Sequence, residues 1–374
     1  MISFFGSPSW SPGKLQDLVL FQRGFDITKA EQKDGDIPVI SSSGPSSHHN
    51  VPKVQGPGVI IGRKGTLGSV FYSEGDYWPH DTTLWSKDLK GNNPRFVYYA
   101  LQRIDMSLFD TGAANPTLNR NHIHGLPIFI PERGIQNRIA TILSAYDDLI
   151  ENNRRRIALL EVAARQLYKE WFVRFRFPGH EHVKVVKGVP EGWHREPLGE
   201  IAEVVMGQSP QSQFYNTDGK GLPFHQGVTD YGFRFVAHRT YSTAITKLAE
   251  PNDILLSVRA PVGRINITLD RIVLGRGLSA VRSKTGNQSF LLYALKEHFY
   301  AEDIIGTGAI YAATNKKELG AQLLMVPTER IIGEFEDISA PIDRQIANLY
   351  KSIEHLTKAR DLLLPKLMNG TLAV

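Results

Sequence analysis

Two long stretches of the chain repeat apolar residues in steps of three and four. The first carries Ile135, Ile139, Ile142, Tyr146, Ile150, Ile157, Leu160, Ala164, Leu167 and Trp171, with no Gly or Pro from Gln136 to Phe172. The second carries Phe335, Ile338, Ile342, Ile346, Leu349, Ile353, Leu356, Leu363 and Leu367. Both follow the seam of a coiled coil and predict long helices. Consecutive four-residue steps at Tyr146 and Ile150 predict a stutter in the first. Asn153 falls on that seam, where a buried Asn fixes register. Pro341 predicts either a kink or a helix start inside the second stretch. Arg360 stands on the second seam where the first has Ala164, so an incomplete partner surface is expected there. The economical arrangement packs the two helices on each other, antiparallel, with a globular domain at either end. About 37 residues at 1.5 Å each would make a ruler roughly 55 Å long.

Outside these stretches the pattern is shorter. Pro57–Gly62, Asn252–Ser257 and Arg271–Leu274 are apolar runs after turn residues and predict buried strands. Gly65-Thr66-Leu67-Gly68 and Ala260-Pro261-Val262-Gly263 predict tight turns after the first two, and Phe96–Leu108 and Phe290–Tyr300 predict helices. These segments recur in order. Trp10, Leu15 and Gly24 match Trp193, Leu198 and Gly207, each 183 residues on. Thr111-Gly112-Ala113 and Ile128–Pro131 match Thr307-Gly308-Ala309 and Leu324–Pro327, 196 residues on. The chain is therefore one plan written twice. The second copy holds about thirteen additional residues between Gly24 and Thr111, an insertion expected in loops. The expected domains are 1–134, a first globular part; 135–173, a central helix; 174–190, a linker; 191–330, a second globular part; and 331–370, a C-terminal helix.

Composition narrows the chemistry. Among 374 residues there is no cysteine, which removes disulfides, thiolate metal sites and cysteine nucleophiles. No apolar run approaches the ~20 residues that span a bilayer, and the first residues lack the pattern of a signal peptide, so a cytoplasmic location is expected. The net charge of +5 permits a nucleic-acid ligand without requiring one. Gly275-Arg276-Gly277-Leu278-Ser279-Ala280 imitates a dinucleotide fingerprint but lacks the helix and distant acid that complete it. Asp88-Leu89-Lys90, with Asp76 or Asp81, reads as solvated loop charge. The histidine pairs at 48/49, 122/124 and 180/182 lack metalloenzyme spacing. No catalytic residue, metal site or cofactor site is predicted.

What both copies share is basic and polar loop content. Arg63, Lys64, Thr66, Asn115, Asn119 and Arg120 fall in the first copy, and Arg259, Arg264, Arg276, Tyr311, Asn315 and Lys316 in the second. Arg and Lys suit phosphates and guanine edges, and Asn suits adenine edges. These twelve are the candidate DNA-binding residues.

Four segments carry a resemblance. They are Trp171-Phe172-Val173-Arg174-Phe175-Arg176-Phe177-Pro178-Gly179-His180-Glu181, Val189-Pro190-Glu191-Gly192-Trp193, Gly306-Thr307-Gly308-Ala309 and Leu362-Leu363-Leu364-Pro365-Lys366-Leu367-Met368-Asn369-Gly370. The chain resembles a specificity (S) subunit of a type I restriction–modification system over nearly its whole length. One departure lies at the helix starts, where the family often has Glu-Gln and this chain has Ile135-Gln136 and Ile332-Gly333. The resemblance implies an α/β (α+β) chain with two target-recognition domains and a pair of long antiparallel helices related by a pseudo-two-fold repeat. It implies a non-catalytic subunit that reads a bipartite, asymmetric site in double-stranded DNA, one domain per half. It implies two modification subunits, which bind S-adenosylmethionine and methylate adenine, docked on the helices, and two restriction subunits that use ATP and Mg. The alternative, from the residues alone, is a coiled-coil interaction scaffold whose two globular domains bind protein or a glycan.

Overall fold

The computed structural model describes residues 10–109, 117–303 and 313–374. The chain divides into two compact units, residues 1–153 with 352–374, and residues 154–351. The cuts fall inside the two long helices, so each unit owns a globular part and a stretch of both helices.

The first unit opens with β1 (Trp10–Lys14), the one-turn helix α1 (Leu15–Leu18) and β2 (Leu20–Arg23). Then come β3 (Ile37–Ser41), β4 (Gly44–His49), β5 (Gly58–Gly62), β6 (Val70–Ser73), β7 (Trp78–Pro79) and β8 (Thr83–Asp88). α2 (Pro94–Leu101), α3 (Arg120–His124) and β9 (Pro127–Pro131) lead into α4 (Arg133–Tyr168), which ends in a π-helical turn, Lys169–Val173. The apolar run predicted as a buried strand is β5, with all five residues buried. It lies inside an antiparallel sheet of order β2-β8-β5-β6. β3 pairs antiparallel with β4 and parallel with β7, and β1 pairs with β9.

In the second unit the linker forms a short hairpin of β10 (Val185–Val186) and β11 (Val189–Pro190). β12 (His194–Pro197), α5 (Leu198–Ile201), β13 (Ala202–Met206), β14 (Tyr215–Asn216), β15 (Leu222–His225), β16 (Tyr241–Ser242) and β17 (Leu248–Ala249) follow. Next are β18 (Ile254–Ser257), β19 (Ile265–Ile267), β20 (Ile272–Leu274), β21 (Leu278–Ser283), α6 (Gln288–Asp303), α7 (Lys316–Gly320), β22 (Leu323–Val326) and α8 (Glu329–Met368). The sheet β13-β21-β18-β19 repeats the order of β2-β8-β5-β6. The parallel pair β15–β20 repeats β3–β7, and β12–β22 repeats β1–β9. The duplicated sequence is thus a duplicated topology. Much of the additional length of the second copy lies between β15 and β18; β16 takes the place of β4 there, and β14 and β17 extend the second sheet to five strands.

Each globular part is closed against the helices. In the first unit, Leu15, Leu18, Val59, Phe96, Val97 and Leu101 form one core with Ile135, Ile139 and Leu143 of α4 and Leu367 and Met368 of α8. At roughly 1.5–3 kcal/mol for each large apolar side chain buried, this contact fixes the domain on its helices. In the second, an aromatic cluster of Tyr168, Trp171, Phe172, Phe290, Tyr293 and Phe335 does the same. The helix stretches run antiparallel inside each unit. Asp147 meets Arg360 and Asn153 meets Ser352 in the first, while Tyr168 meets Phe335 in the second.

The predicted seams hold at most positions and shift at some. Asn153 is buried and its Nδ2 donates to Ser352 Oγ at 3.3 Å. Ile338, predicted on the seam, is 45% exposed, and Ser339 is buried in its place. Likewise Leu143 is buried while Ile142 is only partly so. A continuous 3.6-residue turn sets the phase, and an apolar neighbour one position away misleads a pattern that counts hydrophobicity alone. α8 runs unbroken through Pro341. Arg360 does not leave a gap: its Nη1 donates to Asp147 at 2.6 Å.

Candidate nucleic-acid interface

The loop residues singled out from sequence gather at one end of the main sheet in each unit. In the first, β5 runs on into Arg63 and Lys64. The N–H groups of both donate to Thr82 O, at 2.8 and 3.1 Å. Leu118 N–H then donates to Arg63 O at 2.9 Å, and Lys64 bridges Thr117. Segments 82, 63–64 and 117–118 therefore lie side by side as an extra rung beyond the sheet. The second unit builds the same rung: Val258 N–H donates to Gly277 O and Thr314 N–H to Val258 O, both at 2.9 Å, and Arg259 bridges Ala313.

The turns that carry these residues match as well. Gly62 N–H donates to Ser69 O and Gly68 N–H to Gly62 O; Ser257 N–H donates to Arg264 O and Gly263 N–H to Ser257 O. Gly68 and Gly263 both sit at positive φ, 73° and 88°, where a side chain would be strained. Gly24 and Gly207 close the other side. A Cβ on either would come within 2.1 Å of a backbone oxygen, His80 O or Gly275 O respectively. The repeated glycines are thus places where two backbones touch.

The rung brings the candidates of each copy together. Lys64, Thr66 and Arg120 are exposed, and Arg63 is half-buried beside Asp81, whose carbonyl accepts from Arg63 Nη1 at 3.3 Å. Burial, and then the nearby Arg23 charge, lowers the Arg63 guanidinium from its ordinary value, with Asp81 opposing. In the second copy Arg259, Arg264, Arg276 and Lys316 are placed around the equivalent rung, and all four are exposed. Asn119 and Asn315 act locally. Each is the N-cap of a short helix, accepting from Asn121 N–H and Glu318 N–H at 3.0 Å. They thereby hold Arg120 and Lys316 at the first helical positions. His124 Nε2 accepts from Phe21 N–H at 3.0 Å and ties α3 to β2, while burial and then Arg120 lower its basicity. Asn115 and Tyr311 lie outside the described residues, as do the Thr-Gly-Ala repeats at 111–113 and 307–309.

Sequence reading leaves out Arg23, Asp26 and His80 and takes Asp81 for solvated loop charge, whereas the four meet at the first rung. Arg23 Nη2 donates to Asp81 Oδ2 at 2.9 Å, and His80 Nδ1 lies 3.1 Å from Asp81 Oδ1. Asp26, His80 and Asp81 bring one ligand atom each within 4.8 Å. A signal for Asp81 was present in the repeat: the position that corresponds to it in the second copy is Arg276, which was selected. The glycine pair around Arg276 leads into β21 rather than into a helix, so it has no phosphate-binding helix start behind it.

Residues 8–162 match the type I restriction modification DNA specificity domain. The chain is 31% identical over 285 residues to a putative type I restriction enzyme MjaX specificity subunit of Methanocaldococcus jannaschii; the match takes in 75% of this chain and spans 65% of that relative's own length. It is 29% identical over 303 residues to the MjaIX specificity subunit of the same organism, covering 75% and 69%. Its fold is that of a type I restriction–modification S subunit from M. genitalium, with a TM-score of 0.69 at 18% identity over 96% of both chains.

Proposed function

We propose that this chain, which belongs to the specificity subunits of type I restriction–modification systems, is the DNA-reading component of such a system. Each globular part takes one half of a bipartite site, using the loop-built end of its main sheet. The observation that carries this reading is the rung present twice. The same backbone scaffold presents Arg63, Lys64 and Arg120 in one unit and Arg259, Arg276 and Lys316 in the other. One scaffold with two sets of side chains suits a reader of two unlike half-sites. Identical sets would suit a palindrome.

In this reading the chain performs no chemistry itself. Adenine methylation belongs to two modification subunits carrying S-adenosylmethionine, and ATP- and Mg-dependent work to restriction subunits. The paired stretches of α4 and α8 serve as the docking surface and set the unread spacer. Among the described residues no helix is long and apolar enough to cross a membrane.

Mapping methylated adenines in a host that carries the chain with its modification partner tests the proposal. The expected result is a two-part, non-palindromic motif with a fixed spacer that vanishes when this chain is deleted. A continuous palindromic motif, or one independent of the chain, would sink it. Binding by the assembled complex should also weaken steeply as salt rises, because Lys and Arg displace counterions from phosphates. Salt-insensitive behaviour would favour a protein-binding scaffold.

A further inference from the structure

The two recognition ends share a backbone but differ at one buttressed position. β2 and β13 hold the same place in their sheets: Arg23 stands opposite Leu84, and Met206 opposite Ser279. The glycine after each donates to the neighbouring strand, Gly24 to Thr83 O at 3.0 Å and Gly207 to Leu278 O at 2.9 Å. Just before the rung carbonyls of Thr82 and Gly277 stand Asp81 and Arg276. Where the first unit has an Arg23–Asp81 ion pair, the second therefore has Met206 and Arg276.

An aspartate repels phosphate, so its presence on a surface that meets DNA calls for a structural reason. Asp81 has one carboxylate oxygen on Arg23 Nη2 at 2.9 Å and the other 3.1 Å from His80 Nδ1. Arg23 nevertheless keeps 55% of its side chain in solvent. Its planar fork is thus oriented from behind and open in front. A guanidinium so held loses less freedom on meeting a base than a free one, and its geometry matches the O6 and N7 acceptors of guanine.

We infer that Arg23, oriented by Asp81, reads a guanine in the first half-site, and that Arg276 occupies the corresponding place in the second domain. Arg23 is thus a specificity-determining residue and Asp81 a positioning residue. The inference rests on the DNA-reading function proposed above.

The test uses the complete complex with its modification subunits and DNA libraries randomised in one half-site at a time. In Arg23→Met and in Asp81→Asn, discrimination at one G·C pair of the first half-site should fall by roughly 5-fold or more, since a good bidentate contact separates bases by about 5- to 150-fold. The second half-site and the spacer should stay unchanged. Should either variant fail to fold, Arg23→Lys keeps the charge without the fork. A point charge in place of two aligned donors should weaken the guanine preference while the salt dependence of binding is retained. Unchanged preference in all variants overturns the inference. So does a change confined to A·T pairs, or a uniform loss across sequences by a variant that melts like the parent, which marks a phosphate contact. If the unaltered complex shows no bipartite motif, the function itself fails; if it does and the variants match it, only this inference fails.

Discussion

His225 has no exposed side-chain surface and faces two titratable groups. Its Nε2 lies 2.9 Å from His238 Nδ1, and its Nδ1 lies 3.4 Å from Asp230; beyond it, His238 Nε2 lies 3.0 Å from Asp270. Burial, then the His238 charge, pushes His225 down from 6.5 to about 4, with Asp230 opposing. The residue stays neutral in the fold but takes up a proton near 6.5 once unfolded. Unfolding therefore draws in a proton between those two values, and stability falls as pH drops from about 6.5 to about 4. Above that window His225 contributes no slope. Urea midpoints measured at pH 7.5 and pH 5 should differ, and His225→Gln should reduce the difference. An identical slope in the variant would show that another group is responsible.

At the scale of elements, the two copies fasten their domains to the helices by related means. Tyr99 of α2 donates to Asp147 of α4 at 2.5 Å, and Tyr293 of α6 donates to Asp343 of α8 at 2.7 Å. Each aspartate also holds an arginine, but from different places. Asp147 takes Arg360 from α8, whereas Asp343 takes Arg234 from the globular part at 2.6 Å. Arg234 is only 3% exposed and also donates to Glu161 of α4, so one side chain joins a loop to both helices. Burial works to raise Glu161, but the charges of Arg234 and Lys296 outweigh it and hold the carboxyl below its usual range. Arg234→Ala leaves Asp343 partly buried without its cation and Glu161 with Lys296 alone. A loss of about 3–5 kcal/mol is expected, read as a lower urea midpoint for the second unit. A change under about 1 kcal/mol would mean the network relaxes into water. Helix starts are secured differently too. Gln136 accepts from Asn93 N–H at 2.9 Å beside α2, while Glu336 accepts from Ser289 and Phe290 N–H at 3.1 and 3.0 Å at the start of α6. The departure at Ile332-Gly333 is met one turn later along the same helix.

For the whole molecule, the α4 and α8 stretches are the feature that a spacer reading depends on. They have 36 and 40 residues. Removing seven residues from each, around Asn153 and the facing Ser352, keeps the seam in phase and shortens the pair by about 10.5 Å. At 3.4 Å per base pair, the unread spacer should shrink by about 3 bp while both half-sites keep their sequences. An unchanged spacer in a complex that still methylates would remove the helices as its determinant.

Much of this architecture is legible in the sequence. Helix periodicity is a local property of the chain, so α4 and α8 stood out, and Asn153 was visible on its seam. The duplication was visible because spacing survives in Trp, Gly and Leu landmarks. Phase was less legible: Ser339 rather than Ile338 faces inward, because the turn angle and not the side chain decides. The site was legible only in part. Exposed Arg and Lys in matched loops were picked out, and the rung places them together. Asn119 and Asn315 were also picked out, and their capping role depends on backbone geometry that residue type does not announce. The pairing of Arg23 with Asp81 does not show in the sequence, because 58 residues separate them along the chain. Two copies, each a strand-rich part followed by one long helix, follow from residue order alone, since repetition and periodicity are written along the chain. Which distant residues meet follows from the folded backbone instead. Ion pairs, rungs and close glycine contacts arise from how strands register in a sheet, and one residue of register changes every partner.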